Sequence, residues 1–283
     1  MLFSEKSQTG RRNDSRIIKS EIMQKNFIKN GDEIKFKNNI RGEEYSLENG
    51  KVYRADTDDY GEVFLSTLPS FTMPSKIYST ERNDAFKQKV LNHYEIMNRG
   101  VLGVMLSGLK GSGKTITAKQ IALESTLPII LIDKYFHPKY FKEMIKMLED
   151  TPVCIIFDEI DKVGDRYDME ALLSMLDGTD TFGNILLLLT CNDESKIDEN
   201  MKDRCSRIRY WKSFNETPKD VIEEVVKDKL QNKELVELVV NFIENNFDKL
   251  IFDNICAFID EVNMNPNISF DELFEDMNLT PKE

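Results

Sequence analysis

The stretch Gly108-Leu109-Lys110-Gly111-Ser112-Gly113-Lys114-Thr115 decides how this chain folds. It is a complete G-x-x-x-x-G-K-[ST] pattern, which marks a phosphate site when a strand enters it and a helix leaves it. Val101-Leu102-Gly103-Val104-Met105-Leu106 is apolar enough for the strand, and Ile116-Thr117-Ala118-Lys119-Gln120-Ile121-Ala122 suits the helix. Gly108, Gly111 and Gly113 let the backbone turn tightly and aim N–H groups at phosphate oxygens, and the helix N-terminus adds its positive end. Lys114 can reach the terminal phosphates, and the Thr115 hydroxyl can ligate Mg²⁺. The candidate nucleotide-binding residues are therefore Gly108, Leu109, Lys110, Gly111, Ser112, Gly113, Lys114, Thr115 and Ile116.

Two further apolar runs read as central parallel strands, buried on both faces. Val153-Cys154-Ile155-Ile156-Phe157 ends in Asp158-Glu159-Ile160-Asp161, and Ile185-Leu186-Leu187-Leu188-Leu189-Thr190 ends in Cys191-Asn192-Asp193. Ligands of open α/β sheets bind at the C-terminal ends of strands. Asp158 is thus placed to orient Mg²⁺ through water, and Glu159 to polarise an attacking water. Asn192 is placed to hydrogen-bond that water and the γ-phosphate, although an Asn there can also be a cap or turn residue. Arg204, Arg207 and Arg209 follow, three of the chain's 11 arginines within six positions. Clustered arginine in a lysine-rich chain suggests use of the bidentate fork for phosphate or carboxylate. Arg204 and Arg207 are read as phosphate-sensing. Arg209, in a strand with Ile208, Tyr210 and Trp211, is read as pairing with the protein's own carboxylates.

This order of elements resembles an AAA-type ATPase of the subgroup with a second region of homology. Residues 108–115 are similar to the Walker A motif and Ile155–Asp161 to Walker B. Leu172-Leu173-Ser174-Met175-Leu176-Asp177-Gly178 is similar to the leucine-rich helix after Walker B, and Leu189-Thr190-Cys191-Asn192 to the sensor-1 strand. Met201-Lys202-Asp203-Arg204-Cys205-Ser206-Arg207 resembles the stretch with two arginines three apart, with Cys-Ser where Pro-Gly is usual. The resemblance spans about 76–265. It implies a P-loop NTPase α/β fold, a parallel sheet flanked by helices, with a C-terminal helical lid. It also implies ATP and Mg²⁺ as ligands and a hexamer in which Arg204 and Arg207 reach a neighbour's nucleotide. No Gly-x-Arg sensor is found in the lid.

Composition agrees. A chain of 283 residues suits one core with smaller appendages. Cys154, Cys191, Cys205 and Cys256 show no C-x-x-C spacing, which suggests a reduced protein with buried thiols. His93 and His137 are the only histidines, too few for a histidine metal site. No apolar run approaches a membrane span and no secretory core opens the chain, so a cytoplasmic protein without membrane contact is expected. The Lys-, Asn- and Ile-rich composition is that expected of an AT-rich microbial or phage genome. The net charge of −12 is uneven: about +5 over 1–41 and about −10 over 212–283. Phosphate neutralisation needs Lys and Arg, so the acidic C-terminal part is a poor surface for nucleic acid. The basic arm reads either as a solvated tail or as a contact for something acidic.

Four regions follow: a polar arm (1–33) with a possible short helix around 16–28, a small β-rich module and linker (34–75), a nucleotide-binding α/β domain (76–215) and a helical lid (216–283). Glu44-Tyr45-Ser46-Leu47 and Lys51-Val52-Tyr53-Arg54 flank Asn49-Gly50, a hairpin signal, and Tyr60-Gly61 starts another turn. Pro128–Asp133 is a second core strand. In a ring ATPase the loop after it can face the pore, and Tyr135, Phe136, Tyr140 and Phe141 are candidates to grip polypeptide. Their competing reading is packing, with Phe141, Ile145 and Leu148 at helical spacing. Thr217-Pro218 reads as a cap and first helical residue, and Ser269 with Glu272 as a capping box. The activity expected is Mg²⁺-dependent ATP hydrolysis by a homo-oligomer, with Lys114, Glu159, Asn192, Arg204 and Arg207 in catalytic roles and Thr115 and Asp158 at the metal. A protein substrate is favoured, with a nucleic-acid loader or an ATP-dependent scaffold as alternatives.

Overall fold

The described residues form ten strands: β1 Phe27–Asn30, β2 Glu33–Phe36, β3 Glu43–Tyr45, β4 Val52–Thr57, β5 Val63–Leu68, β6 Val101–Gly108, β7 Ile129–Ile132, β8 Val153–Phe157, β9 Ile185–Cys191 and β10 Tyr210–Phe214. The helices are α1 Glu81–Ile96, α2 Lys114–Glu124, α3 Pro138–Leu148, α4 Lys219–Lys229, α5 Val236–Asn246, α6 Phe252–Met264 and α7 Phe270–Asp276. This architecture comes from a computed structural model, which describes residues 27–36, 43–97, 99–148, 151–162, 183–197 and 208–282. The leucine-rich segment 172–178, Arg204, Arg207, Cys205 and residues 16–26 lie outside them.

All the described strands join one sheet in the order β10-β6-β9-β8-β7-β4-β5-β2-β1-β3. Pairing is parallel from β10 to β4 and antiparallel from β4 to β3. Every residue of β8 and β9 is buried, as expected where helices cover both faces. On one face α3 sets Phe141, Met144, Ile145 and Leu148 against Phe157 and Ile132. On the other, Ala118, Ile121 and Ala122 of α2 and Val90 and Tyr94 of α1 cover Leu102, Val104 and Leu106 of β6 together with Leu186 and Leu188 of β9.

The N-terminal strands are not a free-standing layer. β4 runs parallel to β7, with Val52 opposite Ile129 and Arg54 opposite Leu131, and extends the core sheet. Arg54 donates to the Asp133 carboxylate at 2.8 Å, across the same junction. β4 and β5 form a hairpin whose turn is held by the Asp58 carboxylate, which accepts from the amides of Tyr60 and Glu62. The expected hairpin across Asn49-Gly50 does not form. β3 pairs with β1 instead, and both edges of β4 are taken by β5 and β7. Gly50 does turn, at φ 73°, but donates its amide to the Leu127 carbonyl, so the turn sends the chain into the core sheet. Phe27 and Ile28, expected to end a helix, lie in β1.

The loop aromatics divide. Phe136 and Phe141 are buried in the core, Tyr140 is half-buried against Gly61, and Tyr135 is 58% exposed. Packing therefore accounts for Phe136 and Phe141, and Phe136 is withdrawn as a gripping residue because β7 and α3 enclose it. The lid helices α4–α7 have their own core, in which Phe242 stacks on Phe258 at 5.3 Å and Phe247, Phe270 and Phe274 meet them edge-on. Ser269 caps α7 by accepting from the Glu272 amide. At α4 the cap is Pro218 itself, one residue later than expected, with no side-chain bond from Thr217.

Gly108 leaves the least room for a side chain of the glycines with positive φ among the described residues. It lies at φ 133°, and a Cβ there would meet the Phe214 carbonyl oxygen of β10 at 2.3 Å. Gly108→Ala should therefore cost ~3 kcal/mol or more in urea denaturation. Gly50→Ala, at a positive φ in open space, should cost only ~1–2 kcal/mol.

Candidate nucleotide site

The ends of β6, β8 and β9 are brought side by side by their parallel pairing, Ser107 opposite Cys191 and Phe157 opposite Leu189. From that edge the loop 109–113 turns through Gly111 at φ 78° and Gly113 at φ 92°. Gly113 is the N-cap of α2, whose first turn points back into the loop. Lys110 to Thr117 line a cleft of about 1800 Å³. Its other walls are the linker from Pro74, α1, β10 and the lid residues Val221, Phe252 and Cys256. Of the expected loop residues, Gly108 packs against β10 and Leu109 turns its carbonyl to Lys114, so the cleft wall begins at Lys110.

Lys114 is almost fully buried, with its ammonium donating to the Leu109 carbonyl at 2.6 Å and to Ser112 Oγ at 3.4 Å. Burial lowers its pKa, and the nearby Cys191, Asp161, Asp158 and Glu159 oppose that shift. An ammonium held by neutral oxygens, in a burial that disfavours its charge, is poised to accept an anionic partner.

Asp158 joins three segments. Its Oδ1 accepts from the Thr115 hydroxyl at 3.0 Å and from the Thr190 hydroxyl at 2.7 Å. Thr190 Oγ1 in turn accepts from the Glu159 amide at 2.8 Å. Glu159 has φ 54°, a left-handed conformation that costs a non-glycine residue of order 1–3 kcal/mol. That bend turns its carboxylate off the strand line. Oε1 accepts from Asn192 Nδ2 at 2.9 Å, and Oε2 takes an ion pair from Lys162. The Lys162 hydrogen bond, with Asn192 assisting against burial, holds the Glu159 carboxyl below the usual range. Asn192 is itself fixed, its amide donating to the buried Asp161 carboxylate at 2.9 Å. Lys114, Thr115, Asp158, Glu159 and Asn192 are thus brought together. Arg204 and Arg207 lie outside the described residues, and Arg209 lies just before β10, its backbone amide donating to the Gly103 carbonyl.

The donor set fits Mg²⁺. The Thr115 hydroxyl and the Asp158 carboxylate are hard oxygen donors already at hydrogen-bond distance. Two such ligands, completed by phosphates and water, are what this ion takes in phosphate sites. Sequence reasoning missed Thr190, Asp161 and Lys162. Thr190 had a signal, a hydroxyl at the end of an otherwise apolar strand. Asp161 and Lys162 had none, because only the 3₁₀ turn Ile160–Lys162 sets one inward and folds the other back on Glu159.

Residues 104–213 match the family "ATPase family associated with various cellular activities (AAA)". The chain is 35% identical over 129 residues to the "Probable 26S proteasome regulatory subunit 4" of Caenorhabditis elegans, 38% of this chain and 29% of that protein. It is 35% identical over 118 residues to the "26S proteasome regulatory subunit 4 homolog B" of Arabidopsis thaliana, 34% of this chain and 27% of that one. It is 31% identical over 175 residues to the "ATPase family gene 2 protein" of Schizosaccharomyces pombe, 52% and 21% respectively. The chain thus spans under a third of the length of these relatives. The phosphate loop, the hydrogen-bonded carboxylates just past β8 with Asn192 just past β9, and the match over 104–213 together show an AAA-type P-loop ATPase domain in this part of the chain.

Proposed function

We propose that this protein hydrolyses ATP with Mg²⁺ as part of a homo-oligomer, most simply a hexamer, and uses the cycle to unfold or remodel a protein partner. The observation that carries the reading is the hydrogen-bonded chain Thr115–Asp158–Thr190–Glu159–Asn192, which holds metal-binding oxygens and a general base beside the phosphate loop. The proteasome-subunit likeness supports a protein substrate. Among the described residues no helix is long and apolar enough to cross a membrane, and we place the protein in the cytoplasm. We divide the chain into an arm, a β-rich module with linker up to 75, a nucleotide-binding domain (76–215) and a lid (216–283), and move the expected boundary between arm and module from 33/34 to 26/27 because β1 pairs with β2 and β3.

In this reading Lys110 to Ile116 cradle the phosphates and Lys114 neutralises them. Mg²⁺ held by Thr115 and Asp158 would offset charge on the phosphate oxygens. Glu159 accepts the proton of the attacking water, and Asn192 orients both the carboxylate and the water. The Glu159 carboxylate is held at both oxygens here, so accepting a water requires it to share or leave Lys162. Arg204 or Arg207 of a neighbouring copy completes the site, a contribution that can reach ~10³–10⁵ in rate.

Lys114→Ala should abolish ATP binding at the phosphate loop, whereas Glu159→Gln should keep ATP bound and lower phosphate release by ~10²-fold or more. Nucleotide titration and a phosphate-release assay check both, and normal turnover by the Glu159 variant would remove it from the base role. Assembly is tested by the mass of the Glu159→Gln protein in ATP, which should be that of a ring. Specific activity should fall on dilution, and Arg204→Ala or Arg207→Ala should lose turnover while keeping ATP affinity. A fully active monomer would contradict this.

Tyr135→Ala should spare basal ATPase activity and uncouple it from unfolded protein, whereas Phe136→Ala should lower stability by ~3–5 kcal/mol. Stimulation by nucleic acid alone, lost with Arg11, Arg12 and Arg16, would favour the loader reading. No response to any polymer would favour a scaffold.

A further inference from the structure

The wall of the cleft formed by α1 and β10 carries three cations that the mechanism above does not use. Arg82 and Lys89 stand on α1 and Lys212 on β10, and all three line the cleft. Lys212 lies opposite Leu106 while Phe214 lies opposite Gly108. Lys212 is therefore two residues, roughly 7 Å, back along the strand from the start of the phosphate loop. Its ammonium is half-buried, 5.0 Å from the centre of the Phe86 ring and 5.8 Å from that of Phe214. Lys89 Nζ stands 5.2 Å from the Tyr210 ring, which meets Phe86 edge-on at 6.1 Å. Arg82, one helical turn before Phe86, is close enough to add its repulsion to burial in depressing the Lys212 pKa.

Among the described residues none of the three cations forms an ion pair. The chain nevertheless has 50 acidic residues against 38 basic ones, and Lys87 on the same helix is paired with both Asp84 and Glu124. Glu81, Glu216 and Asp220 share the cleft without bridging to any of the three. Arg82 and Lys89 are exposed, but Lys212 is half-buried with Arg82 nearby, and a partly desolvated cation beside a like charge is disfavoured unless an anion joins them. A surplus of carboxylates was at hand, and among the described residues none fills the position. Cations beside aromatic faces are also the combination on which nucleobases stack while their phosphates are held. The cleft, at about 1800 Å³, exceeds the ~300–1,000 Å³ of ordinary small-molecule pockets, which leaves room beside a nucleotide on the phosphate loop.

We propose that Arg82, Lys89 and Lys212, with the rings of Phe86 and Phe214, form a second subsite in this cleft that takes a nucleoside phosphate. The base lies on the aromatic faces and the phosphate between the cations. The ligand is either a free nucleotide or the phosphorylated end of a single strand, which share this chemistry.

The test uses the full chain carrying Lys114→Ala, so that the phosphate loop no longer competes. Calorimetric titration with adenosine monophosphate forms one arm, and titration with a 5′-phosphorylated oligothymidylate forms the other. Binding in the first arm identifies free nucleotide, and binding in the second alone identifies a strand end. In either case adding Arg82→Met or Lys212→Met should weaken binding about tenfold, Lys212→Arg should retain it, and affinity should fall as salt is raised. Arg82 is exposed, so its replacement does not threaten the fold, and thermal melting checks the Lys212 variants. The subsite is overturned if neither probe binds, or if binding is indifferent to both methionine variants. ATP turnover by the unsubstituted chain is measured separately. A chain that hydrolyses ATP but fails these titrations loses the subsite and keeps the proposed function.

Discussion

The register of three parallel strands carries everything else. Val101, Ile185 and Val153 start level, so Gly108, Cys191 and Phe157 finish near one edge of the sheet. Side chains alternate along a strand, so a slip of one residue would turn every buried leucine of β9 toward the other face. It would also carry Thr190 away from Asp158, whose carboxylate it reaches at 2.7 Å. The ladder is thus both the main burial of apolar surface and the ruler that sets the site. The left-handed conformation of Glu159 follows from it, because the amide must meet Thr190 while the carboxylate meets Asn192.

Around that edge the polar groups form a closed network rather than a set of free reagents. Asp158 is shared by two hydroxyls, Glu159 by an amide and an ammonium, and Asn192 is locked by Asp161. Buried polar groups need such partners, since an unmet one costs about 1–3 kcal/mol. In the proposed reaction the same bonds would preorganise the site, because side chains already held need no reordering when substrate arrives. Lys162 is the exception in kind. It is largely exposed, so its pairing with Glu159 is screened by water and exchangeable.

The lid meets the loop directly. The Asp253 amide at the start of α6 donates to the Gly111 carbonyl at 3.3 Å, and its carboxylate occupies the space a Cβ on Gly111 would need. From the linker, Lys76 bridges to Glu224 and Asp228 of α4, and Tyr78 bonds to Asp228 and packs on Phe252. The linker that begins after β5 is thereby tied to the lid that closes the cleft. Exposed ion pairs of this sort contribute little stability singly, and their value here is positional.

Local information was enough for much of this. A phosphate loop announces itself because glycine spacing, a lysine and a hydroxyl must lie consecutively to wrap a phosphate, so Lys114 and Thr115 were legible. The central strands were legible because burial on both faces leaves unbroken apolar runs, and Asp158, Glu159 and Asn192 were legible as the polar residues that end them. The helical lid showed in its periodicity, and the Ser269 cap in its spacing from Glu272. What depended on distant partners was not legible. Asn49-Gly50 has hairpin chemistry, but whether β4 folds back on β3 or joins β7 depends on an edge supplied from residue 129 onward. Tyr135 and Phe136 look alike in sequence, and only the packing of β7 against α3 buries one and exposes the other. Lys162, Asp161 and the cations Arg82, Lys89 and Lys212 gain their meaning from what faces them across the fold, a relation that a one-dimensional pattern does not encode.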